Sequence, residues 1–253
     1  MWSRREVVAG GMLSLCFGTC CRADSSRTPH TFGCCLASED VEAVYPNGTD
    51  TRTYFTGDEP MIPRSGDRDF DYALAQTLAK ISDAFGVLPG FAYYDDNDSR
   101  NAYATSRTRL NRADGTVLMG IYLQQQLRAG KDHPEVAVAA VCSHEFGHIL
   151  QYRHDLVSRV NAGQPTVKRS ELQADYFAGY YAGLRKKERP TYPAAVVAVT
   201  QGDFGDSHFS SPTHHGTEAE RGAAVVRGFN AAFREGKTLA QAIEESTNYV
   251  LTL

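Results

Sequence analysis

A chain of 253 residues is long enough for one sizeable core, and its 42% apolar and 22% charged residues are those of an ordinary globular domain. The formal net charge of -4, with lysines and arginines scattered apart from Arg185-Lys186-Lys187, excludes the basic field that nucleic-acid binding needs. That short run reads as the cation-rich end of a helix, where it complements the macrodipole.

Residues 1–23 read as an export signal. Ser3-Arg4-Arg5-Glu6-Val7-Val8 leads into a glycine-containing apolar run ending near Cys20, too short for a comfortable membrane span and suited to a signal's apolar region. The Arg4-Arg5 pair resembles a twin-arginine signal, and Cys21-Arg22-Ala23 offers a cleavage end after Ala23. A lipoprotein anchor ranks second, because Thr19 and Cys20 stand where a small residue should precede the lipidated cysteine. The expected location is the periplasm or the medium. No membrane contact is expected beyond the signal or such an anchor. Cleavage leaves Cys34, Cys35 and Cys142, an odd number in an oxidising compartment. A disulfide between the adjacent Cys34 and Cys35 would be strained, while Cys142 reads as a small buried hydrophobe.

Residues 24–66 are polar, rich in Ser, Thr, Gly, Pro and Asp, and lack sustained periodicity, so they read as an arm or linker. Within them Asn47-Gly48-Thr49 reads as a turn. The domain proper is expected over 67–253. Residues 69–85 place Phe70, Leu74, Leu78 and Ile81 at helical spacing, as in a core helix. Residues 91–94 and 116–122 read as short strands, the second following a turn at Ala113-Asp114-Gly115.

The chemistry begins at Val141-Cys142-Ser143-His144-Glu145-Phe146-Gly147-His148, an H-E-x-x-H pattern inside an apolar helix. Asp132-His133-Pro134-Glu135 offers a cap and a proline for the first turn, and the helix should run to Leu150 or beyond. Positions four apart share a helix face, so His144 and His148 can present two imidazoles to one metal ion with Glu145 beside its open position. A second helical stretch, 169–179, carries Glu171 and, one turn on, Asp175. A catalytic zinc usually has three protein ligands, and Glu171 can complete the set. Asp175 is placed to accept the free ring N–H of a metal-bound histidine, which fixes its tautomer. Plausible helices then follow at 193–200, 215–233 and 239–251.

His144-Glu145-Phe146-Gly147-His148, Glu171-Leu172-Gln173-Ala174-Asp175-Tyr176-Phe177-Ala178-Gly179 and His215-Gly216-Thr217-Glu218-Ala219-Glu220-Arg221 occur in the order and spacing of a known family. Over about the C-terminal three-fifths, the chain resembles the bacterial putative neutral zinc metallopeptidases. More broadly it is similar to the gluzincins, among them the CAAX-prenyl and heat-shock membrane proteases, whose N-A-[FY]-A segment and edge strand are similar to Asn101-Ala102-Tyr103-Ala104 and 116–121. The chain departs from the membrane proteases in having no spanning helices after its N-terminus, and from the neutral family in its N-terminal half. The resemblance implies a zincin-like α+β fold: a small, mainly antiparallel sheet over a helical body. It also implies that residues 116–121 form either an edge strand that hydrogen-bonds an extended peptide or an internal strand. His215 becomes the candidate donor to the tetrahedral oxyanion, with His214 as its neighbour and alternative.

The expected activity is zinc-dependent hydrolysis of peptide bonds. Zinc held by His144, His148 and Glu171 would activate a water, with Glu145 as general base and proton carrier to the leaving amine. The expected partner is a peptide or protein substrate. Two rivals remain: a catalytically silent zinc-binding envelope protein, against which the intact Glu145 argues, and a structural zinc site. Structural sites are usually closed by four ligands rich in cysteine, which this set lacks.

Overall fold

A computed structural model describes the backbone strand Gly33–Leu36 and residues 59–97, 99–130 and 132–253. The expected export signal, the turn at Asn47-Gly48-Thr49 and the side chains of Cys34 and Cys35 lie outside the described residues.

The fold is α+β. Four strands, β1 (Gly33–Leu36), β2 (Gly90–Tyr94), β3 (Asn101–Thr105) and β4 (Thr116–Gly120), make one sheet in the order β1-β3-β4-β2. Only β3 and β4 pair antiparallel; β1 runs parallel to β3, and β2 parallel to β4. The sheet is therefore mixed, not mainly antiparallel. The reason is topological: the chain reverses twice after β2, and β4 inserts between β3 and β2, so it runs with β2. That placement also makes β4 internal, so residues 116–121 are not an edge strand. β1 falls inside the segment expected to be an irregular arm.

Alternation sorts the sheet's side chains. Ala102 and Ala104 of β3, register partners of Met119 and Val117 of β4, turn to the main core, while Tyr103 and Leu118 face the other way onto Tyr94. The turn before β4 needs Gly115, whose φ of 72° lies in the left-handed region and whose missing side chain clears the Thr105 carbonyl.

Eight helices are described: α1 (Arg68–Phe85), α2 (Ile121–Arg128), α3 (Pro134–Arg153), α4 (Leu156–Asn161), α5 (Lys168–Glu188), α6 (Ala195–Asp203), α7 (Glu218–Phe233) and α8 (Leu239–Leu251). α1 starts where the Asp67 side chain accepts the Phe70 N–H and stops at left-handed Gly86; it buries Leu74, Ile81 and Phe85. α2 replaces the tail of the strand expected over 116–122. The Asp96 carboxylate accepts the N–H groups of Tyr122 and Leu123 at 2.8 and 3.0 Å, capping the turn that opens at Ile121.

α3 is the axis of the fold, with every residue from Val138 to Gln151 buried. Pro134 occupies its first turn, but no side chain caps it, because His133 at φ 50° takes the capping position that Asp132 was expected to share. The Tyr152 hydroxyl ties its far end to the Ala104 carbonyl of β3 at 3.2 Å. α5 is buried continuously from Ser170 to Gly183 and ends in the expected Arg185, Lys186 and Lys187. α7 begins at Glu218, later than expected, because Thr217 and Glu220 form a reciprocal capping box. Among the described residues no helix is long and apolar enough to cross a membrane.

Candidate metal centre

Two helices bring the site together. Gly147 lets α3 lie against α5, since a side chain there would press within 3.2 Å of the Ala174 backbone. The helical repeat then turns His144 and His148 of α3 towards Glu171 of α5. Their Nε2 atoms lie 3.1 Å apart, and Glu171 carboxylate oxygens lie 3.4 Å from His144 Nε2 and 3.5 Å from His148 Nε2. All three side chains are fully buried.

These contacts fit a cation. His144 Nδ1 is 2.8 Å from Asp175 Oδ1, and His148 Nδ1 is 2.8 Å from Gln151 Oε1; both partners are acceptors, so each Nδ1 carries a proton, and the metal-binding form of each ring is the neutral one. Each Nε2 then offers a lone pair, and the two lone pairs face each other and the Glu171 carboxylate. Neither Glu171 oxygen has a hydrogen-bond partner among the described residues. Buried acceptors converging without a donor are costly, and a bound cation removes that cost. Metal–ligand bonds of about 2.0–2.1 Å in a tetrahedron put neighbouring ligand atoms roughly 3.3–3.4 Å apart, matching the observed spacing. The residues present can therefore hold a metal ion.

Electrostatics agree. Without a metal, burial alone would raise the Glu171 carboxyl, but the protonated forms of the two imidazoles and the charge of His215 hold it well below the usual range. Asp175 is likewise lowered against its burial, chiefly by Arg221 and His144. Burial pushes His144 down, but Asp175 outweighs it and the net shift is upward, so metal and proton compete for this ring.

Asp175 is itself clamped. Arg221 of α7 donates through Nε to Oδ2 at 2.8 Å and through an Nη to Oδ1 at 2.9 Å, a fully buried bidentate pair. The same guanidinium donates to the Phe204 carbonyl and to Gln201 Oε1, and Gln201 in turn donates to the Ala140 carbonyl of α3. α7 reaches this position because Gly179 of α5 and Gly228 of α7 let the two backbones meet; a side chain on either would collide with Val225 or Tyr176 backbone.

Glu145 is fully buried beside His144 but falls outside the converging set of His144, His148 and Glu171, as suits a base that is not a ligand. His215 lies in the loop before α7, not on the helix. Its backbone N–H donates to Asp206 Oδ2 at 2.8 Å, its Nδ1 is 3.3 Å from the same oxygen, and its charge is felt by Glu171. His214 turns elsewhere: its Nδ1 meets Asp206 Oδ1 at 2.6 Å and its ring packs edge-on against Phe209. Of the two, His215 is the one whose charge bears on Glu171. The supports Gln151 and Asp206 escape a motif reading, although Gln151 stands three residues beyond His148 on the same helix, and Arg221 closes the 215–221 segment without a role being legible there. Comparisons of the chain with protein-family models, with curated proteins and with solved structures each returned no match.

Proposed function

We propose that the chain is a zinc-dependent endopeptidase of the bacterial cell envelope, similar to the neutral zinc metallopeptidases and of gluzincin type. The observation that carries this reading is the buried convergence of two imidazole Nε2 atoms and the Glu171 carboxylate, with Glu145 buried next to His144 in the chain. Three protein ligands leave a fourth position open, which suits catalysis better than a closed structural site. Imidazole and carboxylate ligands suit zinc.

Bound zinc would supply Lewis acidity, polarising a substrate carbonyl and lowering the pKa of a water molecule towards about 7. Glu145 accepts the proton of the attacking water and returns it to the leaving amine. Burial favours that exchange by keeping bulk water from the carboxylate. Asp175, held by Arg221, fixes His144 with its Nε2 free. His215 donates a hydrogen bond to the oxyanion as the carbonyl becomes tetrahedral, its backbone and ring held by Asp206.

Residues 1–23, with their arginine pair and apolar run, support export through a twin-arginine route, with a lipid anchor as the second possibility. Appearance of processed chain outside the cytoplasm checks that part. The reading as a whole is tested by hydrolysis of an unfolded protein. Cleavage should stop on chelation and return with added zinc; cleavage that survives chelation, or none with zinc restored, would reject it.

A further inference from the structure

The support for His148 differs in kind from that for His144, and it reaches across the molecule. Gln151 Oε1 meets His148 Nδ1 at 2.8 Å. Its Nε2 donates to the Ser170 carbonyl at 2.8 Å and to Gln173 Oε1 at 3.0 Å. Gln173 Nε2 then donates to Ser246 Oγ at 3.1 Å and Thr247 Oγ1 at 3.0 Å, both on α8. All five side chains are buried.

The direction of every donor in this relay is determined. The two α8 hydroxyls give their protons to the Ile243 carbonyl, at 3.0 Å from Ser246 and 2.8 Å from Thr247, so their oxygens can only accept from Gln173. The Gln173 amide nitrogen therefore faces α8 and its oxygen faces Gln151. Independently, the Ser170 carbonyl accepts only, so the nitrogen of Gln151 must face it and its oxygen must face His148. A flip of Gln151 would set its oxygen against the Ser170 carbonyl, and a flip of Gln173 would set its nitrogen against that of Gln151.

We infer that Gln151, oriented by Ser170, Gln173 and the Ser246–Thr247 hydroxyls, is a positioning residue that holds His148 in its Nδ1–H tautomer and keeps Nε2 open for the metal. It does for His148 what Asp175 does for His144, but without charge. The pairing gives the site one ionised and one neutral support, so His148 is fixed without adding another buried carboxylate to Glu171 and Asp175. The same relay fastens α8, the last helix of the chain, to the metal centre.

The link to metal rests on the zinc reading, whereas the tautomer does not, so the two are measured separately. The full-length chain and its Gln151→Leu variant are titrated with zinc against a competing chelator. Nitrogen NMR of histidine-labelled, metal-free protein, under conditions where the rings are neutral, reports the His148 tautomer. The expected result is an Nδ1–H form in the parent, its loss in Gln151→Leu, and a zinc affinity weaker by about tenfold to a hundredfold. The variant with Ser246→Ala and Thr247→Val, which frees the Gln173 amide while leaving Gln151 in place, should show a smaller change in the same direction. It decides the matter should Gln151→Leu fail to fold. An Nε2–H form of His148 in the parent, or an unchanged tautomer in the folded variants, overturns the inference. A parent that shows the Nδ1–H form yet binds no zinc overturns the metal reading and leaves the relay's effect on His148 standing.

Discussion

His215 is the residue at which a structural and a chemical role separate most cleanly. Asp206 anchors both histidines of its loop; the His215 charge contributes to the lowering of Glu171, while His214 packs on Phe209. Burial acting alone would raise Asp206, and the hydrogen bonds from His215 and His214 overcome it and leave the carboxyl strongly lowered. Loss of an oxyanion donor costs roughly a hundredfold to a thousandfold in turnover with the fold intact. His215→Ala should therefore lower turnover by that order with little change in zinc content, and His214→Ala should be milder. Comparable small losses in both variants would reduce the pair to a loop anchor. At this scale the ligands were legible because the helical repeat alone puts His144 and His148 on one face. Gln151 was not, since its importance depends on which way an amide points, and Ser170, Gln173 and α8 decide that through space.

Helices were easier to read than the sheet. Residues 69–85 and 239–251 carry caps and apolar spacing that are local, and α1 and α8 appear there to within one residue. α2 was hidden because its cap is Asp96, far back in the chain, and the sheet order was hidden because parallel pairing of β2 with β4 depends on a strand between them. The close approach of α5 and α7 likewise leaves only scattered glycines in the sequence. It gives a sharp expectation: Gly228→Ala drives a methyl group into the Tyr176 carbonyl and should destabilise the protein by about 1–3 kcal/mol. Gly222, on the same helix, has its nearest outside atom 4.0 Å away, so Gly222→Ala should be neutral or stabilising by up to about 1 kcal/mol. Urea unfolding of the two variants measures both. Equal effects would mean that α5 and α7 do not meet at Gly228.

Among the described residues, one buried polar network surrounds the two imidazoles. Arg221, Asp175, Gln201, Gln151 and Gln173 are each buried and hydrogen-bonded, and they tie α3, α5, α6, α7 and α8 to the two imidazoles. Such networks are costly unless satisfied, and at their centre the two Glu171 oxygens are among the buried atoms without a hydrogen-bond donor. His144, His148 and Glu171 could hold a cation there, and Glu145 is not part of that set. The most direct measurement is the zinc content of purified Glu145→Gln beside Glu171→Gln, read together with hydrolysis. Glu145→Gln should keep about one zinc per chain and lose hydrolysis, and Glu171→Gln should lose both. Zinc lost equally from the two variants, or hydrolysis retained by Glu145→Gln, would contradict the account.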